Sequence, residues 1–264
     1  MKTYLAIIKA NWQRMLTYRF TILAYRIGEV IEIIILILMW SAIYSNQDMI
    51  KGFSLKEMLT YVLFGSLVHI LIKNFVYDRV SEEIKNGKLS LFLIKPISYL
   101  GYTFALSVGQ FFFITILSVI THLVVILFFI DKFILNFETL YLAVILIMVI
   151  LAFVIEFLIA YLVGLIAFWT DETTGIYATI SRLKKFFSGG YFPISLLPSI
   201  FVSVSLYFPF AYSFFVPSQI YLKKISIEDG LKGLITQIVW IVLLYLIIKI
   251  VWKKGIKKYE GVGI

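Results

Sequence analysis

Five long apolar runs decide what this chain can fold into. They lie at about 21–44, 57–77, 102–130, 139–169 and 231–248, and the fourth holds a single mid-run charge, Glu156. A bilayer-spanning helix needs roughly 20 mostly apolar residues, so the runs read as transmembrane helices. With 61% hydrophobic residues and a mean hydropathy of +0.98, the chain carries more apolar surface than one soluble core can hide. The expectation is an all-α polytopic membrane protein. A further helix between Gly175 and Val216 would make six spans. No repeat of roughly 20–50 residues and no low-complexity linker breaks the chain, which reads as one transmembrane domain over 1–264 with no room for a soluble one. The N-terminus lacks an apolar core followed by a small-residue cleavage site, so no removable signal peptide is expected.

Basic residues record topology in such proteins. Lys2, Lys9, Arg14 and Arg19 precede the first run; Arg79, Lys85, Lys88 and Lys95 lie between the second and third; five lysines stand from Lys249 onward. In a six-span count these thirteen share one side, against six opposite: Lys51, Lys56, Lys132, Lys223, Lys224 and Lys232. Arg26, Lys73, Arg182, Lys184 and Lys185 are ambiguous. The imbalance places both termini in the cytoplasm, and it accounts for the net charge of +9 without nucleic acid. Cysteine is absent, which excludes disulfides, thiolate metal sites and cysteine nucleophiles.

Residues 1–20 can form an amphipathic helix, with Leu5, Ile8, Trp12, Met15 and Leu16 on one face and Lys2, Lys9, Gln13 and Arg14 spread over the other. It either lies in the headgroup region with its apolar side down or is a helical lead-in to the first span.

Four of the five prolines, Pro193, Pro198, Pro209 and Pro217, fall in 188–217 beside the Gly189–Gly190 pair. Proline breaks the helical ladder, and freed backbone groups cannot face lipid. Re-entrant short helices on the outer side, packed against protein, meet both constraints; an irregular loop dipping into the interface is the alternative. The fifth span then has three readings. Starting after Lys185, it has too few residues before Pro193 to cross. From about Thr173 to Phe192, it carries Arg182, Lys184 and Lys185 within the membrane, where cations face a water-filled cavity or a protein partner. As a steep, proline-kinked helix from Phe186, it leaves the three cations cytosolic.

Arg26, Glu29 and Glu32 share one stripe of the first run, and Arg26 can pair with Glu29. The stripe is either self-neutralised, with Arg26 snorkelling, or a polar seam facing a translocation path or a second subunit. Glu156 has no local cation three or four residues away, so it finds a partner on another helix or sits protonated. Glu29, Glu32, Glu156, Arg182, Lys184 and Lys185 are the path candidates; if the three cations face the path, anionic or lipid-like cargo follows. His69 and His122, the two histidines, read as satisfied core residues rather than metal ligands. No HExxH, Walker loop, nucleophile elbow or zinc spacing occurs, so no catalytic residue, metal site or bound cofactor is expected and the chain is not read as an enzyme.

The segment DRVSEEIKNGKLSLFLIKPIS, over 78–98, places Glu83, Gly87, Leu89, Leu93 and Pro96 in the spacing acidic–x3–Gly–x–Leu–x3–Leu–x2–Pro. That spacing resembles permease subunits of ABC-2-type transporters. The stretch SGGYFPISLLPSIFVSVSLYFPFAY, containing Gly189, Gly190, Pro193, Pro198 and Pro209, is similar to that family's glycine–proline signature before the last helix. The tail KKYEGVGI resembles the Tyr–x–Gly–x–Gly ending of one branch, with Ile264 where a second terminal glycine is often found. The likeness runs through the whole chain in order.

The resemblance implies an exporter of the bacterial cell inner (plasma) membrane, with a path built by two permease subunits, identical or not, among membrane lipids. Two separate cytoplasmic ABC ATPase subunits would bind ATP and Mg and drive it. Residues 78–98 would then be the coupling segment. In physical terms, the second span continues helically through Asp78–Asn86 with Gly87 as a left-handed C-cap. Leu89, Leu91, Phe92 and Leu93 form a short amphipathic helix that ends before Pro96. An ordinary loop whose leucines anchor to lipid is the competing reading. A secondary transporter or channel would need an oligomer, and no inverted repeat or filter loop is visible. A membrane-embedded enzyme would need a nucleophile, base or metal constellation, and none is seen.

Overall fold

The computed structural model describes residues 2–17 and 19–259. It is helical throughout, apart from one two-residue-per-strand hairpin (β1 Met49–Ile50, β2 Phe53–Ser54). Four helical segments are long and apolar enough to cross a membrane: Leu55–Lys85, Tyr99–Phe128, Thr139–Phe168 and Ile227–Lys258. The protein is therefore an all-α polytopic membrane protein. In chain order the helices are α1 (Lys2–Thr17), α2 (Arg19–Ile43), α3 (Leu55–Ile72), α4 (Val76–Lys85), α5 (Ser90–Leu93), α6 (Tyr99–Phe128), α7 (Thr139–Leu165), α8 (Thr173–Phe187), α9 (Ser199–Tyr207), α10 (Phe210–Ser213), α11 (Phe215–Tyr221) and α12 (Ile227–Lys258). The closing residues of the tail, Gly261, Gly263 and Ile264, lie outside the described residues.

α7 is the central post. Along its second half nearly every side chain is buried, from Ala152 through Leu165, because α3, α4, α8, α11 and α12 all pack around it. α2, α6 and α12 each keep one face against the core and expose the other as an apolar stripe: Ile31, Ile35 and Leu38; Ile116, Ile120 and Leu127; Ile235, Val239 and Leu246. Such stripes meet no penalty in lipid, where hydrocarbon replaces water.

The second span is not the continuous helix expected over 57–77 and on to Asn86. It breaks at Lys73–Phe75, between α3 and α4. Asn74 causes the break and satisfies it. Its Oδ1 accepts the Val76 N–H at 3.0 Å and the Ser107 hydroxyl at 3.3 Å, while its carbonyl accepts the Tyr177 hydroxyl at 2.7 Å. Freed backbone groups inside the bundle are tolerated only when protein groups take up their hydrogen bonds.

Two ends of the bundle are tied by distinct polar sets. At one end, Lys224 bonds Glu57 at 2.8 Å and the Gly52 carbonyl at 2.7 Å, and Lys51 reaches the Leu196 carbonyl at 2.7 Å. Lys223 pairs with Glu138 there, and Asn136 bonds Tyr221. At the other end, Lys85 donates to the Asp171 carbonyl and Ser90 bonds Tyr259.

α1 packs lengthwise on the first half of α6. Asn11 is buried and donates from Nδ2 to the Leu106 carbonyl at 2.7 Å, and Trp12 meets Phe113 edge to face at 5.3 Å. Ile8 and Trp12 of the apolar face lie against α6 beside Asn11, while Leu5 and Leu16 of that face are exposed.

The region between Thr173 and Val216 is one 15-residue helix, α8, followed by turns and short helices. Of the three readings of the fifth span, the helix starting at Thr173 is present, but it ends at Phe187 rather than Phe192; no helix begins at Phe186. Gly189, in the left-handed region at φ 79°, ends it, and its carbonyl accepts the Tyr61 hydroxyl at 2.7 Å. Pro193, Pro198 and Pro209 each stand at the N-cap of the next helical piece, where a missing N–H costs nothing. The expected pair of short helices is three: α9, α10 and α11.

Candidate functional site

Residues 78–98 fold as a braced hairpin of helices. α4 closes on Gly87, whose φ of 71° is the left-handed conformation expected there. Its N–H bonds the Ile84 carbonyl at 3.2 Å, and the Leu89 N–H returns to the Glu83 carbonyl at 2.9 Å. Glu83 accepts the Tyr99 hydroxyl at 2.6 Å and lies 3.4 Å from Arg79, so the last turn of α4 is pinned to the first turn of α6. Leu89 is 0% exposed and anchors the loop in the core instead of forming part of a surface helix. α5 is a single turn. Phe92 turns inward onto Tyr99 and Tyr102, with ring centroids at 5.3 and 4.6 Å. Leu91, Leu93 and Ile94 point outward, Ile94 at 82% exposure, and Pro96 is exposed after them.

Behind α5, Tyr259 bonds Ser90 at 3.1 Å and Trp252 stacks on Tyr99 at 5.6 Å. The turn is thus held from α4, α6 and α12 together. α4 in turn sits hard on α7: a Cβ at Gly164 would come within 2.7 Å of Val80.

The path candidates also converge. A cavity of about 370 Å³ is lined by Glu156 from α7, by Arg182, Lys184 and Lys185 from α8, and by His69 and Lys73 from α3 and its end. A smaller one of about 230 Å³ is lined by Glu29, Glu32 and Ser66, and shares His69, Lys185, Tyr191 and Phe214 with the first. Glu156 finds its partner on another helix: it pairs with Lys184, and both are buried. Two charges out of water are tolerable because each neutralises the other. The Lys184 ammonium also lies 5.6 Å from the Tyr177 ring. Tyr177 itself stacks on Tyr77 at 3.7 Å, which docks α8 on α4.

Arg26 pairs with Glu29 as its spacing predicts, and it also donates to Ser118 of α6. Glu29 is buried, 3.3 Å from His122 Nδ1, and His122 Nε2 lies 2.9 Å from Ser66. The stripe is therefore a knot joining α2, α3 and α6, and His122 is a satisfied interior histidine. Glu32 is exposed beside it.

Sequence reasoning missed Tyr99, Trp252 and Tyr259 as braces, Asn74 as the break, and Lys73 as a cavity cation. Asn74 carried a signal, an amide within an apolar run. The aromatic braces carried none, since each depends on pairing across at least a dozen residues.

This architecture, apolar spans around a charged cavity with a braced turn at one end, is that of a polytopic membrane protein. The sequence matches the family described as ABC-2 family transporter protein over residues 30–263, and the chain belongs to that family. No curated protein is matched by the sequence. Membership implies partner ATPase subunits and a paired permease arrangement.

Proposed function

We propose that this chain is the transmembrane permease subunit of an ATP-driven ABC exporter, working as a homo- or heterodimer of permeases with two cytoplasmic ATPases. ATP and Mg bind on those partners, and the chain carries no ATPase site of its own. Six spans are counted as α2, α3–α4, α6, α7, α8 with the re-entrant α9–α11, and α12. Both termini and residues 78–98 lie in the cytoplasm, in a bacterial inner membrane. The two polar ends of the bundle support this grouping of the loops: residues 85–90, 171–173 and 259 gather at one, and 49–57, 136–138 and 221–224 at the other. The excess of lysine and arginine gives the sidedness.

The observation that carries the reading is α5. Three apolar side chains stand exposed on a turn whose every neighbour is braced. An exposed apolar patch on a rigid mount suits a groove on a soluble partner. A push on α5 reaches α4, α6 and α12 as one body, and through Val80 and Gly164 it reaches α7. Rigid-body motion of packed helices is the usual way such a signal crosses a domain. The test is co-purification with a co-expressed ATP-binding-cassette ATPase. Wild type is expected to retain it, and Leu91→Asn/Leu93→Asn/Ile94→Asn is expected to lose it while still inserting in the membrane. Unchanged association in the triple variant refutes the docking role.

A further inference from the structure

The larger cavity has a charge balance that its buried ion pair does not explain. Four cationic side chains, Lys73, Arg182, Lys184 and Lys185, line it against one carboxylate, Glu156. Glu156 is taken by Lys184. Among the described residues, none of the other three cations forms an ion pair; Lys73 and Lys185 instead lie over the rings of Phe75 and Tyr191, at 4.9 and 4.8 Å. Three positive charges therefore line one space, with Glu32 of the adjoining cavity acting electrostatically on Lys73.

The depth of that space follows from helix geometry. Glu156 lies nine residues before the end of α7, and Arg182 nine residues after the start of α8. At 1.5 Å per residue both are about 14 Å along their helices from the α4–α5 end, and the Glu156–Lys184 pair fixes the two levels together. Over the same length from that end α4 carries Asp78, Arg79, Glu82 and Glu83 and α12 carries Lys249, Lys253, Lys254, Lys257 and Lys258. The space therefore opens at the charged end of the bundle, with Lys73 and Arg182 exposed and Lys185 half-buried. Basic pockets at that level of a membrane protein suit anionic headgroups. The rest of the lining combines an aromatic wall, including Tyr191, Phe210 and Phe214, with His69, Ser181, Ser188 and Ser213. At about 370 Å³, the cavity falls within the range of small-ligand sites.

We infer that this cavity receives the anionic headgroup of an amphipathic substrate, with Lys73, Arg182 and Lys185 as headgroup ligands and the aromatic wall against its apolar part. The inference rests on the permease reading and names its substrate class. Arg182 supplies a planar fork suited to phosphate, sulfate or carboxylate oxygens, and the two lysines supply point charges. The sequence left Lys73 aside as a topological ambiguity; the break at Asn74 is what turns it to the cavity.

The experiment uses the full chain in phosphatidylcholine nanodiscs. Radiolabelled dodecyl phosphate, dodecyltrimethylammonium and inorganic phosphate are the three probes. Dodecyl phosphate should bind at least about tenfold more tightly than either of the others. Arg182→Gln/Lys185→Gln should weaken it about tenfold or more, the scale of one lost charge-assisted contact, and the charge-conserving Arg182→Lys/Lys185→Arg should restore most of the loss. Co-purification with the ATPase reports the assembly of each variant separately. Equal binding of the two amphiphiles overturns the inference, as does dodecyl phosphate binding indifferent to the Gln substitutions. Inorganic phosphate bound as tightly overturns the amphipathic part. If headgroup discrimination fails while the ATPase still co-purifies, the cavity assignment falls and the permease reading stands. If discrimination holds and no ATPase associates, the permease reading falls instead.

Discussion

The Tyr99 hydroxyl donates a 2.6 Å hydrogen bond to Glu83, closing the loop between α4 and α6 at its base. Everything between the two residues is held by that closure: Gly87 at the turn, Leu89 in the core, and α5 projecting outward. The pair makes residues 78–98 a lever instead of a loose connection.

Tyr99→Phe keeps the ring packing on Trp252 and removes only the hydroxyl. Hydrogen bonds to charged groups contribute about 1.5–3 kcal/mol. Thermal unfolding in detergent should show a loss of that order, and transport should fall more than ATPase association does. An unshifted unfolding midpoint contradicts the brace.

Gly87→Val places a β-branched residue at φ 71°. A left-handed conformation costs an ordinary L-residue about 1–2 kcal/mol, and a β-branched one more. Membrane insertion should persist while co-purification with the ATPase weakens. Gly87→Asn should be milder, because asparagine tolerates this region.

Glu156 and Lys184 should behave as a unit. Glu156→Gln leaves the buried Lys184 ammonium without its counter-charge, a change worth about 3–5 kcal/mol. Glu156→Leu/Lys184→Met removes both charges and should recover most of that loss. A double-mutant cycle on unfolding in detergent measures the coupling; additive losses would show that the two do not interact.

Gly164→Leu tests the seat of α4 on α7. The new side chain collides with Val80 and the Tyr77 backbone, and overpacking of this kind costs about 1–3 kcal/mol. The expected signature is reduced ATP-dependent transport together with lower thermal stability. Gly164→Ala should show a smaller version of both.

Much of this was legible in the sequence because it is local. Apolar runs of bilayer length forecast the long helices, an i,i+3 spacing forecast Arg26 with Glu29, and a glycine after a charged helical turn forecast the left-handed cap at Gly87. What escaped is non-local. The break at 73–75 depends on Tyr177 and Ser107 reaching Asn74 from other helices, and the docking of α1 on a carbonyl of α6. The length of α8 depends on Gly189 being held by Tyr61. For Glu156 the sequence posed the right question, and only packing could name Lys184 as the answer.

Docking of a motor on α5 at the cytoplasmic face is tested most directly by cross-linking. Because the natural chain contains no cysteine, Ile94→Cys is a unique handle. The measurement is cross-linking of that thiol to the co-expressed ATPase with a short bifunctional reagent in inside-out vesicles, with Lys51→Cys as the control on the opposite end. An ATPase adduct is expected from position 94 and none from position 51. Labelling of position 94 only from the outer face of the membrane, or adducts from 51 and not from 94, would contradict it.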